Sequence, residues 1–141
     1  MIILDTNVVL ELLLALPNPL VLKWIEKQSP PLIHTTAITD AELRFGTAIM
    51  PVGKRKTNLT KLIDDTLRED FPDRVLSFDS EAAALYADIC ARRRSLGRPI
   101  SQFDAQIAAI CKARGATALA TRNVADFADM GLNVINPWSA T

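Results

Sequence analysis

Four acidic side chains stand where the sequence predicts that helices begin, and carboxylates in such places can bind a metal ion. Asp5 follows an apolar run, and Glu42, Asp104 and Asp126 fall in the first turns of later predicted helices. If these acids converge, their like charges repel, and each raises the pKa of the others. Ligation by carboxylate oxygen without His or Cys favours Mg²⁺ or Mn²⁺. The pattern therefore predicts a metal-dependent enzyme in which Asp5 and Asp104 are the core ligands and Glu42 completes the site. Asp126 is either a further catalytic acid or a helix cap.

The chemistry that follows from such a site is hydrolysis at phosphorus. An ion bound by carboxylates can activate a water molecule and hold a phosphate for in-line displacement. The sequence offers few residues for other catalytic mechanisms: His34 is the only histidine and lies in an apolar stretch. Cys90 and Cys111 fall in helical patterns and are predicted to be reduced and buried. We therefore expect the acids, rather than a nucleophilic side chain, to carry the reaction.

The same acids have a structural interpretation as helix caps. Residues 39–42 and 101–104 each place a hydroxyl three positions before an acid, which is the spacing of a capping box. Residues 123–126 form a looser version, and Asp5 can cap the helix that follows it. The sequence thus leaves open a non-catalytic α/β module that binds a peptide or RNA without cutting it. A metal-dependent DNase or phosphatase on a similar sheet is a second alternative.

Short apolar runs alternate with longer helical patterns along the whole chain. The predicted strands are residues 2–5, 32–34, 75–76, 118–120 and 134–135. The predicted helices are residues 7–16, 19–27, 39–50, 54–69, 80–96 and 101–114, with a short helical stretch at 124–128. This alternation predicts an α/β fold with a parallel sheet covered on both faces. In such folds the functional crevice lies at the carboxyl ends of the strands, which is where Asp5 lies.

Length and composition limit the class of protein. The chain has 141 residues, enough for one domain spanning residues 1–141. Sixteen basic residues balance sixteen acidic ones, so net charge neither favours nor excludes nucleic acid. No apolar run reaches the length of a membrane span, and no basic segment typical of a signal peptide precedes the first apolar run. We expect a cytoplasmic protein without a membrane partner.

Binding of a nucleic acid would require positive charge near the acids. The candidates are Lys54, Arg55 and Lys56; Arg92, Arg93 and Arg94 with Arg98; and Arg122. The first two clusters are equally well explained as solvated helix faces. Arg122 follows Thr121 within the predicted fourth acidic segment, where it could clamp a phosphate. Arg44, two residues after Glu42, could do the same or contact a partner protein.

Five segments carry a family resemblance, in this order: residues 4–8, 38–46, 103–109, 121–127 and 136–138. Together they resemble PIN-domain ribonucleases, and in particular the VapC/FitB-like toxins of bacterial type II toxin–antitoxin modules. The likeness runs from residue 1 to residue 138. The chain departs from many relatives at Leu10, where they have serine.

The resemblance implies a fold, an activity and a site. The fold is a single PIN-like domain in which a five-stranded parallel sheet lies between helices, in three α/β/α layers. The activity is Mg²⁺- or Mn²⁺-dependent cleavage of RNA, for example tRNA. The family's acids fall on Asp5, Glu42, Asp104 and a fourth position, for which the sequence leaves Asn123 and Asp126 open. Asn7, Thr121 and Arg122 are the supporting residues.

The resemblance also implies two protein partners. Toxins of this group are inhibited by a cognate antitoxin and pair as homodimers. Leu12, Leu13, Leu14 and Leu16 give the first helix more apolar residues than one buried face needs. An exposed apolar groove is typical of a partner site. The alternative is that both faces of this helix are buried.

Overall fold

The computed structural model describes residues 1–139. Its strands are β1 (Ile2–Leu4), β2 (Ile33–Thr36), β3 (Val75–Leu76), β4 (Ala118–Ala120) and β5 (Val134–Ile135). Its α-helices are α1 (Thr6–Leu12), α2 (Pro19–Glu26), α3 (Ala37–Ala48), α4 (Lys54–Glu69), α5 (Ser80–Ser95) and α6 (Gln102–Ala113). Two short 3-10 helices, Pro30–Leu32 and Val124–Phe127, lie in the connections. The predicted α/β fold with five strands is confirmed.

The sheet is parallel throughout, with the strand order β3-β2-β1-β4-β5. The central strand β1 pairs Ile3 with His34 of β2 on one side and with Leu119 of β4 on the other. The chain builds outward from β1 to β3, then returns to the other side of β1 to form β4 and β5. The strand order therefore reverses between β1 and β4, which is where open parallel sheets form their binding crevice.

Alternate residues of the central strands face opposite sides of the sheet. Ile3 and Leu119 pack in a core with α5 and α6. Leu4 and Ala120 pack in a second core with α1, α2 and α4. Burial on both faces explains why these strands are uniformly apolar. The two cores make the molecule a three-layer α/β/α structure, as predicted.

Helix α1 is shorter than predicted, because it ends at Leu12 rather than at residue 16. Pro17 disfavours helical backbone at the residue before it. The Glu11 carboxylate also accepts a hydrogen bond from the Asn18 backbone N–H at 3.1 Å. The chain therefore turns back towards α1 before α2 begins.

The connection from β2 to α3 also differs from the prediction. β2 continues to Thr36, and α3 begins at Ala37, two residues before the predicted start. The Thr36 hydroxyl accepts a hydrogen bond from the Thr39 backbone N–H at 3.1 Å, so Thr36 is the cap. The capping box predicted for residues 39–42 is therefore wrong.

Three smaller findings complete the fold. Asp79, rather than Ser80, caps α5 by accepting from the Ala82 backbone N–H at 3.0 Å. Both cysteines are free thiols; Cys111 is buried as predicted, whereas Cys90 is half-buried. Within residues 1–139, each helix is too short or too polar to cross a membrane.

Candidate active site

Asp5 is the most buried acid of the site, with 3% of its surface exposed. It follows β1 directly and caps α1, because its Oδ1 accepts from the Thr6 backbone N–H at 2.8 Å. Its Oδ2 accepts from the Thr121 hydroxyl at 2.7 Å and from the Asn7 side-chain amide at 3.2 Å. Three donors therefore fix the orientation of this carboxylate at the carboxyl end of the central strand.

Burial opposes the negative charge of Asp5. Loss of hydration raises the pKa of Asp5, and the hydrogen bonds from Thr121 and Thr6 oppose that rise. The nearby charge of Glu42 raises the pKa further, and the net result lies above the ordinary value. The ionised form is thus destabilised despite its three donors.

Glu42 reaches the site from the second turn of α3. Its Oε1 accepts a hydrogen bond from the Thr6 hydroxyl at 2.7 Å. The Thr6 oxygen also lies 3.0 Å from the hydroxyl of the buried Thr39. Burial raises the pKa of Glu42, the Thr6 bond lowers it, and the charge of Asp104 raises it. The net pKa shift is upward.

Asp104 lies in the first turn of α6. The Ser101 hydroxyl caps this helix by accepting from the Asp104 backbone N–H at 3.2 Å, as predicted. Burial and then the charge of Asp5 raise the pKa of Asp104, Ser101 lowers it, and the charge of Asp126 raises it. These effects connect Asp104 electrostatically to both neighbouring acids.

The acids are not explained as caps, with the exception of Asp5. Thr36 caps α3 and Ser101 caps α6, so these helix ends do not depend on the carboxylates of Glu42 and Asp104. Asn123 makes no side-chain cap for the 3-10 helix that contains Asp126. Other residues thus provide the cap hydrogen bonds of α3 and α6, and the carboxylates of Glu42 and Asp104 take no part in them.

None of the four predicted acids forms an ion pair with a basic side chain among residues 1–139. The charge of Glu42 raises the pKa of Asp5, the charge of Asp104 raises that of Glu42, and the charges of Asp5 and Asp126 raise that of Asp104. Thr6 joins two of these acids, because its backbone N–H donates to Asp5 and its hydroxyl donates to Glu42. That all four acids converge stays a prediction.

The chemistry of these side chains fits a hard divalent cation, because the available donors are carboxylate and hydroxyl oxygens and no histidine is among them. Within the described residues, no three Asp, Glu, His or Cys side chains form a group that could bind one ion as they stand. Direct binding by three carboxylates is not required, since Mg²⁺ usually keeps several waters and takes one or two protein carboxylates. Asp5, Glu42 and Asp104 are the residues from which one or two direct ligands could come, with the others contacting the ion through water.

The supporting residues form a hydrogen-bonded chain around Asp5. The Thr121 hydroxyl accepts from the Asn123 backbone N–H at 3.1 Å while donating to Asp5. Asn7 accepts from the Arg122 backbone N–H at 3.1 Å through its Oδ1. The Asn123 and Arg122 side chains are exposed. The loop after β4 is thus connected to the acid after β1.

Sequence reasoning missed the hydroxyls that join the two halves of the site. Thr6 connects α1 to Glu42, and Thr39 stands beside it on α3. The position of Thr6 next to Asp5 was a signal that could have been used. Thr39 was interpreted as a cap from its spacing to Glu42. Its contact with Thr6 was not predictable, because it depends on the pairing of β1 with β2, which the sequence does not display.

The predicted basic residues differ in what their side chains contact. Arg93 is only 9% exposed and donates to the carbonyl oxygens of Arg98 at 2.7 Å and Asp126 at 3.0 Å. Arg93 therefore stabilises the fold through these contacts and is not part of the exposed basic surface. The exposed side chains of the predicted clusters are Lys54, Arg55, Arg92, Arg94, Arg98 and Arg122, whereas Lys56 is half-buried. Arg44 forms ion pairs with acids of α3 and α4.

Residues 2–131 match the family model described as PIN domain. Because the match covers most of the chain, the protein belongs to the PIN-domain family. The chain is similar to VapC ribonuclease Y4jK of Sinorhizobium fredii, with 44% identity over 138 residues that cover 98% of each chain. It is also similar to toxin FitB of Neisseria gonorrhoeae, with 38% identity over 138 residues that cover 98% of this chain and 99% of that one.

A solved structure gives the same result. The structure of FitAB bound to an IR36 DNA fragment contains a chain that superposes with a TM-score of 0.91 at 35% identity, covering 100% of this chain and 98% of that chain. The family resemblance predicted from the five sequence segments is therefore confirmed, together with the PIN-domain fold.

Proposed function

We propose that the protein is the toxin of a toxin–antitoxin module and acts as an endoribonuclease that requires Mg²⁺ or Mn²⁺. The observation that carries the proposal is the set of acids Asp5, Glu42 and Asp104, which influence one another's pKa values and form no ion pair among residues 1–139. The names of relatives support it, since one is a VapC ribonuclease and another is a FitB toxin. RNA is the proposed substrate class.

Asp5, Glu42 and Asp104 would bind the cation. When bound, the ion supplies Lewis-acid activation of a water molecule and offsets charge on the scissile phosphate. Thr121 and Asn7 keep the Asp5 carboxylate oriented, and the Thr6 hydroxyl does the same for Glu42. A carboxylate of the cluster accepts the proton of the attacking water, a role to which a raised pKa is suited.

Asp126 is our choice for the fourth acid. Its charge raises the pKa of Asp104, which indicates that the two carboxylates are close. The Asn123 backbone N–H instead donates to Thr121, while the side chains of Asn123 and Asp126 are both exposed. We therefore assign Asn123 to the support of the loop and Asp126 to the acidic cluster.

The experiment that tests this function is incubation of the purified protein with total RNA and Mg²⁺ or Mn²⁺, read on a gel. We expect cleavage by the wild-type protein and at least a hundredfold loss in Asp104→Asn, a loss on the order of one essential catalytic group. A matched control is Asp73→Asn, because Asp73 is exposed between α4 and β3, at the opposite edge of the sheet. Its backbone has a positive φ of 56°, which asparagine tolerates.

Three outcomes would reject parts of the proposal. Unchanged cleavage by Asp104→Asn would reject the acidic site, and absence of cleavage with either metal would favour the non-catalytic binding module. Cleavage of single-stranded DNA in place of RNA would identify a DNase.

We further propose that a cognate antitoxin covers an apolar groove beside α1. The groove has a volume of about 540 Å³ and is lined by leucines of α1 and its connection to α2, together with Leu62 and Phe71. Leu14 and Leu16 lie in the connection after α1 and are 51% and 91% exposed, so the alternative that all of these leucines are buried is wrong. The FitAB structure supports a protein partner, because the similar chain was solved in that complex.

The test of this partner is co-expression with the protein encoded beside it. We expect a stable complex that loses ribonuclease activity, and we expect Leu14→Asp to weaken the complex without loss of cleavage. Sedimentation of the toxin alone tests the proposed homodimer, and a monomer at high concentration would contradict it.

A further inference from the structure

Arg122 and Trp138 form a stacked pair at the edge of the sheet. The guanidinium carbon of Arg122 lies 5.0 Å from the centroid of the Trp138 ring, within the range of a cation–π contact. Trp138 is half-buried and packs against the core formed with α1, α2 and α4. Its backbone N–H donates to Asn136 Oδ1 at 3.0 Å. Core packing therefore restrains the indole ring, and the hydrogen bond restrains the backbone of the same residue, so the ring offers a rigid surface to the arginine.

The pair lies at the same edge as the acids. Arg122 comes two residues after the end of β4, and Trp138 comes three residues after the end of β5. All five strands are parallel, so both positions share the carboxyl edge with Asp5. Two hydrogen bonds connect them: Arg122 N–H to Asn7 Oδ1 at 3.1 Å, and Asn7 Nδ2 to Asp5 Oδ2 at 3.2 Å.

The stacked arginine keeps its polar edge available. Its side chain is exposed, and it forms none of the ion pairs found among residues 1–139. Stacking covers a face of the guanidinium but leaves the N–H groups along its rim. That planar fork matches two oxygens of a phosphate, and prior ordering reduces the entropy lost on binding.

We propose that Trp138 is a positioning residue that holds Arg122 as a preformed contact for a phosphodiester of RNA beside the acidic cluster. This inference rests on the proposed ribonuclease function, since it takes RNA as the ligand. Arg122 binds the phosphate, and Trp138 acts only through the arginine. The contact lies on the β4–β5 side of Asp5, so the bound RNA strand would extend from the acids towards β5.

The test measures binding rather than cleavage. A single-stranded RNA oligonucleotide is titrated with the Asp104→Asn protein by fluorescence anisotropy at several salt concentrations. We expect Arg122→Ala to weaken binding severalfold and to reduce the slope of log K against log [salt] by about 0.7, the value of one phosphate contact to a single strand. We expect Trp138→Ala to weaken binding to a similar degree, although the positive charge remains.

The double variant identifies the role of the tryptophan. If Trp138 acts through Arg122, the two substitutions together weaken binding no more than Arg122→Ala alone. Additive losses would show that Trp138 contacts the RNA itself, and would overturn its positioning role. Trp138→Phe preserves an aromatic ring and more of the core packing, so an intermediate loss is expected there even if Trp138→Ala fails to fold.

A matched control separates this contact from general loss of charge. Arg68 is an exposed arginine in the last turn of α4, at the edge where β3 begins. Arg68→Ala removes the same charge and should leave affinity and salt slope unchanged. An Arg122→Ala variant that binds as its parent does, or an Asp104→Asn parent that does not bind RNA, would overturn the inference. Absence of cleavage in the wild type would instead reject the proposed function.

Discussion

A buried threonine hydroxyl connects the two halves of the site at the scale of single residues. Thr121 has no exposed surface, donates to Asp5 and accepts from the Asn123 backbone N–H. Its one oxygen therefore orients a carboxylate and anchors the loop after β4. A side chain of the same shape without the hydroxyl would remove one of the donors to the Asp5 carboxylate and would leave the Asn123 backbone N–H without its acceptor.

Thr121→Val tests this double role. We expect unfolding free energy to fall by about 1–3 kcal/mol, because a buried carboxylate loses a donor and a backbone N–H loses its acceptor. The measurement is urea unfolding followed by circular dichroism. Thr47→Val is the matched control, since Thr47 is also buried but its hydroxyl donates only to the Arg44 carbonyl within its own helix. Equal losses in the two variants would contradict the role of Thr121.

The raised pKa values of the acids predict a specific pH dependence. The pKa of Asp104 is higher in the folded protein than its ordinary value, so the folded state binds more protons between those two values. Stability of the metal-free protein therefore falls as pH rises through that window, and the penalty is complete above the folded pKa. Asp104→Asn removes the ionisation and should raise the melting temperature at neutral pH.

The measurement is Tm against pH for both proteins in the presence of a chelator. The difference between Asp104→Asn and wild type should be largest at neutral pH and should shrink on acidification towards the ordinary carboxyl pKa. A difference that is constant across this range would contradict the electrostatic account.

Threonines at the junction of β2 and α3 position Glu42 at the scale of elements. Thr35, Thr36 and Thr39 have no exposed surface. Threonine suits a strand and also caps a helix, so the sequence alone did not show where β2 ends and α3 begins. The existence of both elements was predictable from the apolar runs, whereas their boundary required the contact of Thr36 with the Thr39 N–H.

Thr36→Ala removes the observed cap of α3. We expect a loss of about 1–2 kcal/mol in unfolding free energy, together with lower cleavage because Glu42 depends on this helix. Ser80→Ala is the control, because Ser80 is the first residue of α5 but Asp79 caps this helix. The Ser80 variant should stay within about 0.5 kcal/mol of wild type by guanidinium unfolding. A larger loss of unfolding free energy in Ser80→Ala than in Thr36→Ala would show that the caps are assigned incorrectly.

Arg93 joins α5 to the segment that contains Asp126. Loss of its two donated hydrogen bonds in Arg93→Met should cost about 1.5–3 kcal/mol, as is typical of bonds made by a charged group. Arg94→Met, at an exposed neighbouring position, should change stability by less than about 0.5 kcal/mol. Thermal unfolding of both variants measures the contrast, and similar stabilities would contradict the structural role of Arg93.

The alternation of strands and helices specified the architecture of the whole molecule, because a buried parallel sheet requires helices on both faces. Placement of acids at strand ends and helix starts was likewise sufficient to identify Asp5, Glu42 and Asp104 as candidates. The Thr6–Glu42 hydrogen bond and the Arg122–Trp138 stack were not predictable, since each depends on which strands are neighbours in the sheet. That residues 1–141 form one domain stays a prediction.

The central claim is that Asp5, Glu42 and Asp104 form one site for a divalent cation. Calorimetric titration with Mn²⁺ of the wild-type protein, Asp104→Asn and the Asp73→Asn control tests it most directly. We predict saturable Mn²⁺ binding by the wild type and by Asp73→Asn, and a loss of binding in Asp104→Asn. Mn²⁺ binding by Asp104→Asn with wild-type affinity and stoichiometry would contradict the claim.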